Sequence, residues 1–137
     1  MFEEDLQNWM HIENVFLKKI YNNKIFKTER GWKNADWDLK VIKEDWTETT
    51  YEVKSNTSDT HVAFEYEFKW KPSWIFRSKA DFIVYYYDGK FHVQTRWKFL
   101  ERFMDLHKWK TNWGDDGQSS LYVMEREVAD MLRERVI

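Results

Sequence analysis

Glu52-Val53-Lys54 sets an acid and a base two residues apart within a strand-forming stretch, 48 to 55. Successive side chains of a strand point to opposite faces, so Glu52 and Lys54 share one face while Tyr51 and Val53 point into a core. Upstream, Asp38 stands at the mouth of a strand expected over about 37 to 43. If the two strands pair as a hairpin through the polar turn between them, Asp38 comes near Glu52. Two carboxylates beside an ammonium form a site for a hard divalent cation and a polarised water, the chemistry of phosphodiester hydrolysis. Asp36 competes with Asp38 for the role of first carboxylate, and Asp38 is preferred because it directly abuts the strand.

An acid two residues before a lysine is a weak pattern. Chance gives about two or three in a chain of this composition, and four occur: Asp38/Lys40, Glu52/Lys54, Glu67/Lys69 and Asp88/Lys90. The last falls in a hairpin turn, Asp38 lacks an upstream strand carboxylate, and Glu67/Lys69 is a true rival. What favours Glu52 is its surroundings: Asp38 at a strand mouth after a basic stretch, Tyr51 and Val53 beside it, and Glu13 on an N-terminal helix.

That helix is read over residues 3 to about 22, where Leu6, Trp9, Met10, Phe16, Leu17 and Ile20 recur at spacings of three and four. Glu13 lies in the middle of the apolar stripe, where an unpaired carboxylate is costly to bury. Two readings are open: a half-exposed helix whose Glu13 reaches a basic partner, or a helix whose Glu13 faces the cation site. Residues 23 to 35 read as an irregular polar connection with Gly31 as its flexible point. Its Lys24, Lys27, Arg30 and Lys33 suit either phosphate contact or a solvated loop.

Downstream, residues 61 to 70 alternate as a third adjacent strand, and Pro72 breaks the run. Residues 73 to 81 allow a turn of helix. Phe82 to Tyr87, Asp88-Gly89 and Phe91 to Thr95 read as a hairpin on a favoured turn, with the first strand apolar enough to be covered on both faces. A helix over 96 to 108, a turn at 113 to 117, a short strand at 121 to 124 and a last amphipathic helix carrying Val128, Met131, Leu132 and Val136 complete the reading.

Composition bounds the function classes. The length of 137 residues suits one domain spanning 1 to 137, and 26 Phe, Trp and Tyr side chains call for an aromatic-rich core. A formal net charge of −2 gives no global electrostatic case for nucleic acid and leaves a local basic face as the requirement. There is no cysteine for a disulfide or thiolate zinc site, and the four histidines show no paired zinc spacing. An acidic N-terminus and short apolar runs point away from a signal peptide or a membrane span, toward a cytoplasmic protein.

A helix with an inward acid, an Asp, a gap of 13 residues, Glu-x-Lys on the next strand, another strand, then strand and helix resembles the PD-(D/E)XK nuclease superfamily. Its compactness is similar to archaeal-type Holliday-junction resolvases. The segments Phe64 to Ser73 and Ser78-Lys79-Ala80-Asp81 are similar to small phage-encoded members. The resemblance covers roughly residues 5 to 105 and departs from the pattern in having no Pro before the Asp. It implies an α/β (α+β) restriction-endonuclease-like core, a central mixed four- to five-stranded sheet flanked by helices, and a phage or bacterial source. It implies metal-dependent cleavage of DNA, with structure selectivity for branched DNA as one form. A catalytically inactive nucleic-acid-binding or interaction module on the same fold is the alternative. Asp38 and Glu52 would hold Mg²⁺ or Mn²⁺, with the Val53 carbonyl as a further ligand and Glu65 as another acid. Lys54 would orient or deprotonate the attacking water, Glu13 would be the helix acid, and Lys33, Arg30, Arg77 and Lys79 would seat the DNA backbone. A homodimer is compatible with the resemblance.

Overall fold

The computed structural model describes residues 2–21, 25–31, 36–55, 60–69, 71–106, 112–114 and 119–137. Helix α1, Phe2–Tyr21, forms where the apolar spacing requires it and buries Phe16, Leu17 and Tyr21. Strand β1, Ile25–Arg30, follows, so the expectation of an irregular connection over 23 to 35 is corrected for these six residues. Among the described residues β1 pairs only with β2, Leu39–Lys43, and an edge strand accommodates the charged side chains that made it read as a loop. β2 turns into β3, Glu48–Ser55, as the hairpin reading required.

β4, His61–Phe68, is a strand but not the third neighbour of that hairpin. It leaves for a second, four-stranded antiparallel sheet ordered β5-β4-β9-β8, with β5 at Lys71–Pro72, β8 at Asn112–Gly114 and β9 at Ser119–Glu125. Alternation identifies a strand and its faces, not its partner. A short helix α2, Trp74–Arg77, then leads back to β6, Phe82–Tyr87, which lies parallel to β3. β6 and β7, Lys90–Thr95, form the expected hairpin, with Asp88 and Gly89 both at positive φ (55° and 68°).

Helix α3, Arg96–Leu106, is followed beyond β9 by α4, Arg126–Ala129, and one 3-10 turn, Asp130–Leu132. The expected last amphipathic helix is therefore cut short. Its Val136 belongs instead to β10, Arg135–Val136, paired with β7. Four apolar positions are too few to distinguish a continuing helix from a turn and a strand. The central sheet is ordered β1-β2-β3-β6-β7-β10, a mixed sheet of six strands rather than four or five. Both additions are edge strands, one read as a loop and one as a helix.

The fold is thus α+β, with a core on each face of the six-stranded sheet. α1 covers one, packing Phe16 and Leu17 against Leu39, Tyr51, Val53 and Val84. The other is built from Phe64, Trp74, Ile83, Tyr85, Phe99 and Phe103, bringing α2, α3 and β4 onto the sheet. β6 supplies Val84 to the first core and Ile83 and Tyr85 to the second, as an apolar strand covered on both faces should. Among the described residues no helix is long and apolar enough to cross a membrane.

Candidate active site

Asp38 stands one residue before β2, and its main-chain N–H already donates to the Tyr51 carbonyl at 3.0 Å. Its side chain continues the ladder, Oδ2 accepting the Val53 N–H at 3.0 Å. A short acceptor at this position replaces the carbonyl that a longer strand would have offered. Gly31 closes the other side, donating its N–H to the Asp38 carbonyl at 2.8 Å. A β-carbon on Gly31 would lie 1.9 Å from the Trp37 carbonyl oxygen, so close approach is what glycine supplies here, rather than the flexibility read from the sequence.

Tyr51 and Val53 belong to the α1 core, so alternation turns Glu52 and Lys54 to the opposite face. There they lie in register with Ile83 and Tyr85 of the parallel neighbour. The Lys54 ammonium is 3.3 Å from Glu52 Oε2 and 3.6 Å from Asp38 Oδ2, and sits 5.9 Å from the centre of the Trp74 ring. The expected trio of Asp38, Glu52 and Lys54 is therefore assembled, with the Asp38 carboxylate meeting Lys54. Asp36 contributes its main-chain carbonyl, which accepts the Lys79 N–H at 2.7 Å and the Ser78 hydroxyl at 3.2 Å.

Glu52 is 1 % exposed, and its Oε2 has no hydrogen-bond partner despite the nearby ammonium. Burial raises its pKa to about 8, helped by a hydrogen bond with Asp38, and outweighs the opposing attraction of Lys54. One proton thus keeps the two carboxyl groups together. A buried carboxylate oxygen without a hydrogen bond, beside a second carboxylate, fits a small divalent cation, which would displace that proton and relieve the repulsion. Among the described residues no cluster of three Asp, Glu, His or Cys side chains could hold a metal. Two carboxylates would leave the remaining positions to a carbonyl, water and phosphate, which suits Mg²⁺ or Mn²⁺.

The segment 78 to 81 fixes the site from above. Ser78, missed by sequence reasoning, is buried and its hydroxyl lies within hydrogen-bonding reach of Glu52 as well as the Asp36 carbonyl. Asp81 accepts the Thr50 N–H at 2.9 Å and returns its own N–H to the Thr50 carbonyl at 3.0 Å, tying the segment to β3. Arg96 Nε donates to the Ala80 carbonyl at 3.0 Å from the start of α3. No spacing rule marks Ser78, because it approaches Glu52 only after the β3-to-β6 crossover is made.

Other expected site residues are distributed differently. Glu13 is 2 % exposed and its carboxylate pairs with Arg30, the basic partner that the first reading of the helix expected, while His11, Asn14, Lys18 and Lys19 keep the other face of α1 exposed; Arg30 Nη2 also donates to Asn14 Oδ1 at 2.8 Å. Arg30 stands opposite Leu39, which belongs to the α1 core; Glu13 and Arg30 therefore lie across the sheet from Glu52. Glu65, in the second sheet, accepts a hydrogen bond from the Ser73 hydroxyl. Arg77 and Lys79 are exposed next to Ser78. Lys33 and Lys24 lie outside the described residues. Comparison of the chain with known protein families, with curated proteins and with solved structures finds no match.

Proposed function

We propose that the protein is a metal-dependent deoxyribonuclease of the PD-(D/E)XK kind, hydrolysing phosphodiester bonds by in-line attack of water. The observation that carries the reading is the buried Glu52 carboxylate beside Asp38, with Lys54 within 3.6 Å of both carboxylates. Its support in the fold is the order of parts: α1, Asp38 at the start of β2, Glu52 and Lys54 on the adjacent β3, then β6 and α3. DNA is the partner in this reading, and a phage or bacterial cytoplasm is its setting.

Asp38 and Glu52 would hold Mg²⁺ or Mn²⁺, with the Val53 carbonyl as a further donor. The bound ion supplies Lewis acidity to the scissile phosphate and to the attacking water. Lys54, held between two carboxylates and over Trp74, orients that water and donates to the charge developing on the phosphoryl oxygens. The main-chain clamps on Asp38 and the 78 to 81 segment set the two carboxylates before substrate arrives, so little reorganisation accompanies reaction.

The test is cleavage of linear, nicked, branched and single-stranded DNA with Mg²⁺ or Mn²⁺. Glu52→Gln and Lys54→Ala should each abolish metal-dependent cleavage while the circular dichroism spectrum is kept. Cleavage surviving in both purified variants overturns the reading. DNA binding by the native chain without cleavage assigns the non-hydrolytic module instead.

A further inference from the structure

Between Trp74, whose ring centre lies 5.9 Å from the Lys54 ammonium, and Ser78, which bonds the Asp36 carbonyl, stands the exposed Phe76. It is 41 % exposed, although Trp74 and Ile75 on the same short helix are 6 % and 1 % exposed. Its ring is not loose: Tyr66 and Phe103 meet it nearly perpendicular, at 6.4 and 6.2 Å between centroids. Two rings brace it while 41 % of the residue stays exposed, which leaves area for an incoming flat group. Arg77 and Lys79 follow, both exposed, and neither makes an ion pair with a described residue. Between them Ser78 reaches Glu52, and the Lys79 N–H is bonded to the Asp36 carbonyl, so the cations are mounted on the frame of the site.

We infer that Phe76, Arg77 and Lys79 form a seat for an unpaired nucleotide next to the site, the base stacking on Phe76 while its flanking phosphates meet the two cations. Alternating cations and a fixed aromatic face fit a single strand, whose bases are free to stack, and not the interior of a duplex, whose base faces are covered. The inference rests on the nuclease reading and narrows its substrate to DNA with an unpaired segment, such as a flap, a bubble or a single strand. Net charge near neutrality is no obstacle, because the two cations act locally and within a Debye length of about 8 Å.

The experiment is fluorescence anisotropy with a labelled single-stranded oligonucleotide and a blunt duplex of the same sequence, in EDTA so that no cleavage intervenes. Phe76→Ala should weaken single-strand binding about tenfold and leave duplex binding within about twofold, whereas Phe76→Trp should retain it. Arg77→Ala with Lys79→Ala should weaken single-strand binding and flatten its salt dependence. Equal loss on both DNAs in Phe76→Ala, indifference to the substitution, or no binding of either DNA by the native chain overturns the seat. Metal-dependent cleavage with affinities indifferent to Phe76 overturns the seat alone. The expected binding pattern in a chain that cleaves no DNA supports the seat and overturns the hydrolytic reading.

Discussion

The Asp38 carboxylate accepts the main-chain N–H of Val53 at 3.0 Å, so a side chain completes the ladder between β2 and β3 where β2 has not yet begun. The same oxygen lies 3.6 Å from the Lys54 ammonium, which ties strand pairing to the site. Asp38→Asn keeps an acceptor there and should retain the thermal midpoint within a few degrees while losing cleavage. Asp38→Ala should lose cleavage as well as about 1.5–3 kcal/mol, because an N–H is left without its charged acceptor. Thermal denaturation alongside a nuclease assay separates the two effects.

Gly31 stands where a β-carbon would meet the Trp37 carbonyl at 1.9 Å. Gly31→Ala should displace the Trp37-Asp38 peptide, costing roughly 1–3 kcal/mol. Cleavage should fall about a hundredfold, since small misplacements of a reacting group are expensive. Urea denaturation and initial rates measure both, and a fully active alanine variant would show that Asp38 does not depend on this approach.

The pair of buried Glu13 and half-buried Arg30 lies on the α1 face, away from Glu52. Glu13→Gln should destabilise the chain by about 3–5 kcal/mol, because the Arg30 guanidinium loses its counter-charge, and leave the cleavage rate per folded molecule near that of the native chain. Replacing both residues, as Glu13→Leu with Arg30→Met, should recover much of the stability. A hundredfold loss of rate in a folded Glu13→Gln protein would restore Glu13 to the catalytic set.

Glu52 has a folded-state pKa of about 8, raised by burial and by Asp38 from an ordinary value of 4.5. The folded chain therefore binds more protons than the unfolded one between those values, and stability without metal should decline as pH rises from 4.5 through 8. Glu52→Gln should flatten that decline and be the more stable protein at pH 9, the cost of a functional carboxylate being removed. Urea midpoints in EDTA from pH 5 to 9 provide the check.

His92 carries the opposite sign. It stacks on Tyr87 at 3.7 Å, its Nδ1 faces Arg133 Nη1 at 2.9 Å, and its Nε2 reaches the Tyr87 carbonyl at 3.3 Å. Burial lowers its pKa below 6.5, with the Arg133 and Lys90 charges adding to the effect and the Tyr87 carbonyl and Asp130 opposing it. The unfolded chain then binds the extra proton, so stability should fall as pH drops below about 6.5 toward the lowered value. His92→Gln should be less stable at pH 7 and show a shallower acid limb in the same titration.

The local pattern was enough to determine the strands that carry the trio, the hairpin joining β2 to β3, the Asp88-Gly89 turn and the α1 stripe, because each depends on neighbours within a few residues. It also determined that Glu52 and Lys54 share a face, since alternation is intrinsic to a strand. What only the tertiary structure decided is where those faces point and who stands opposite. β4 leaves for a second sheet and two polar edge strands extend the first; Glu13 is matched to Arg30, and Ser78 is carried to the site by the β3-to-β6 crossover. These are contacts between residues far apart in the chain, and periodicity has no memory of partners at that distance. The burial that raises the Glu52 pKa arises the same way, from packing against the second core.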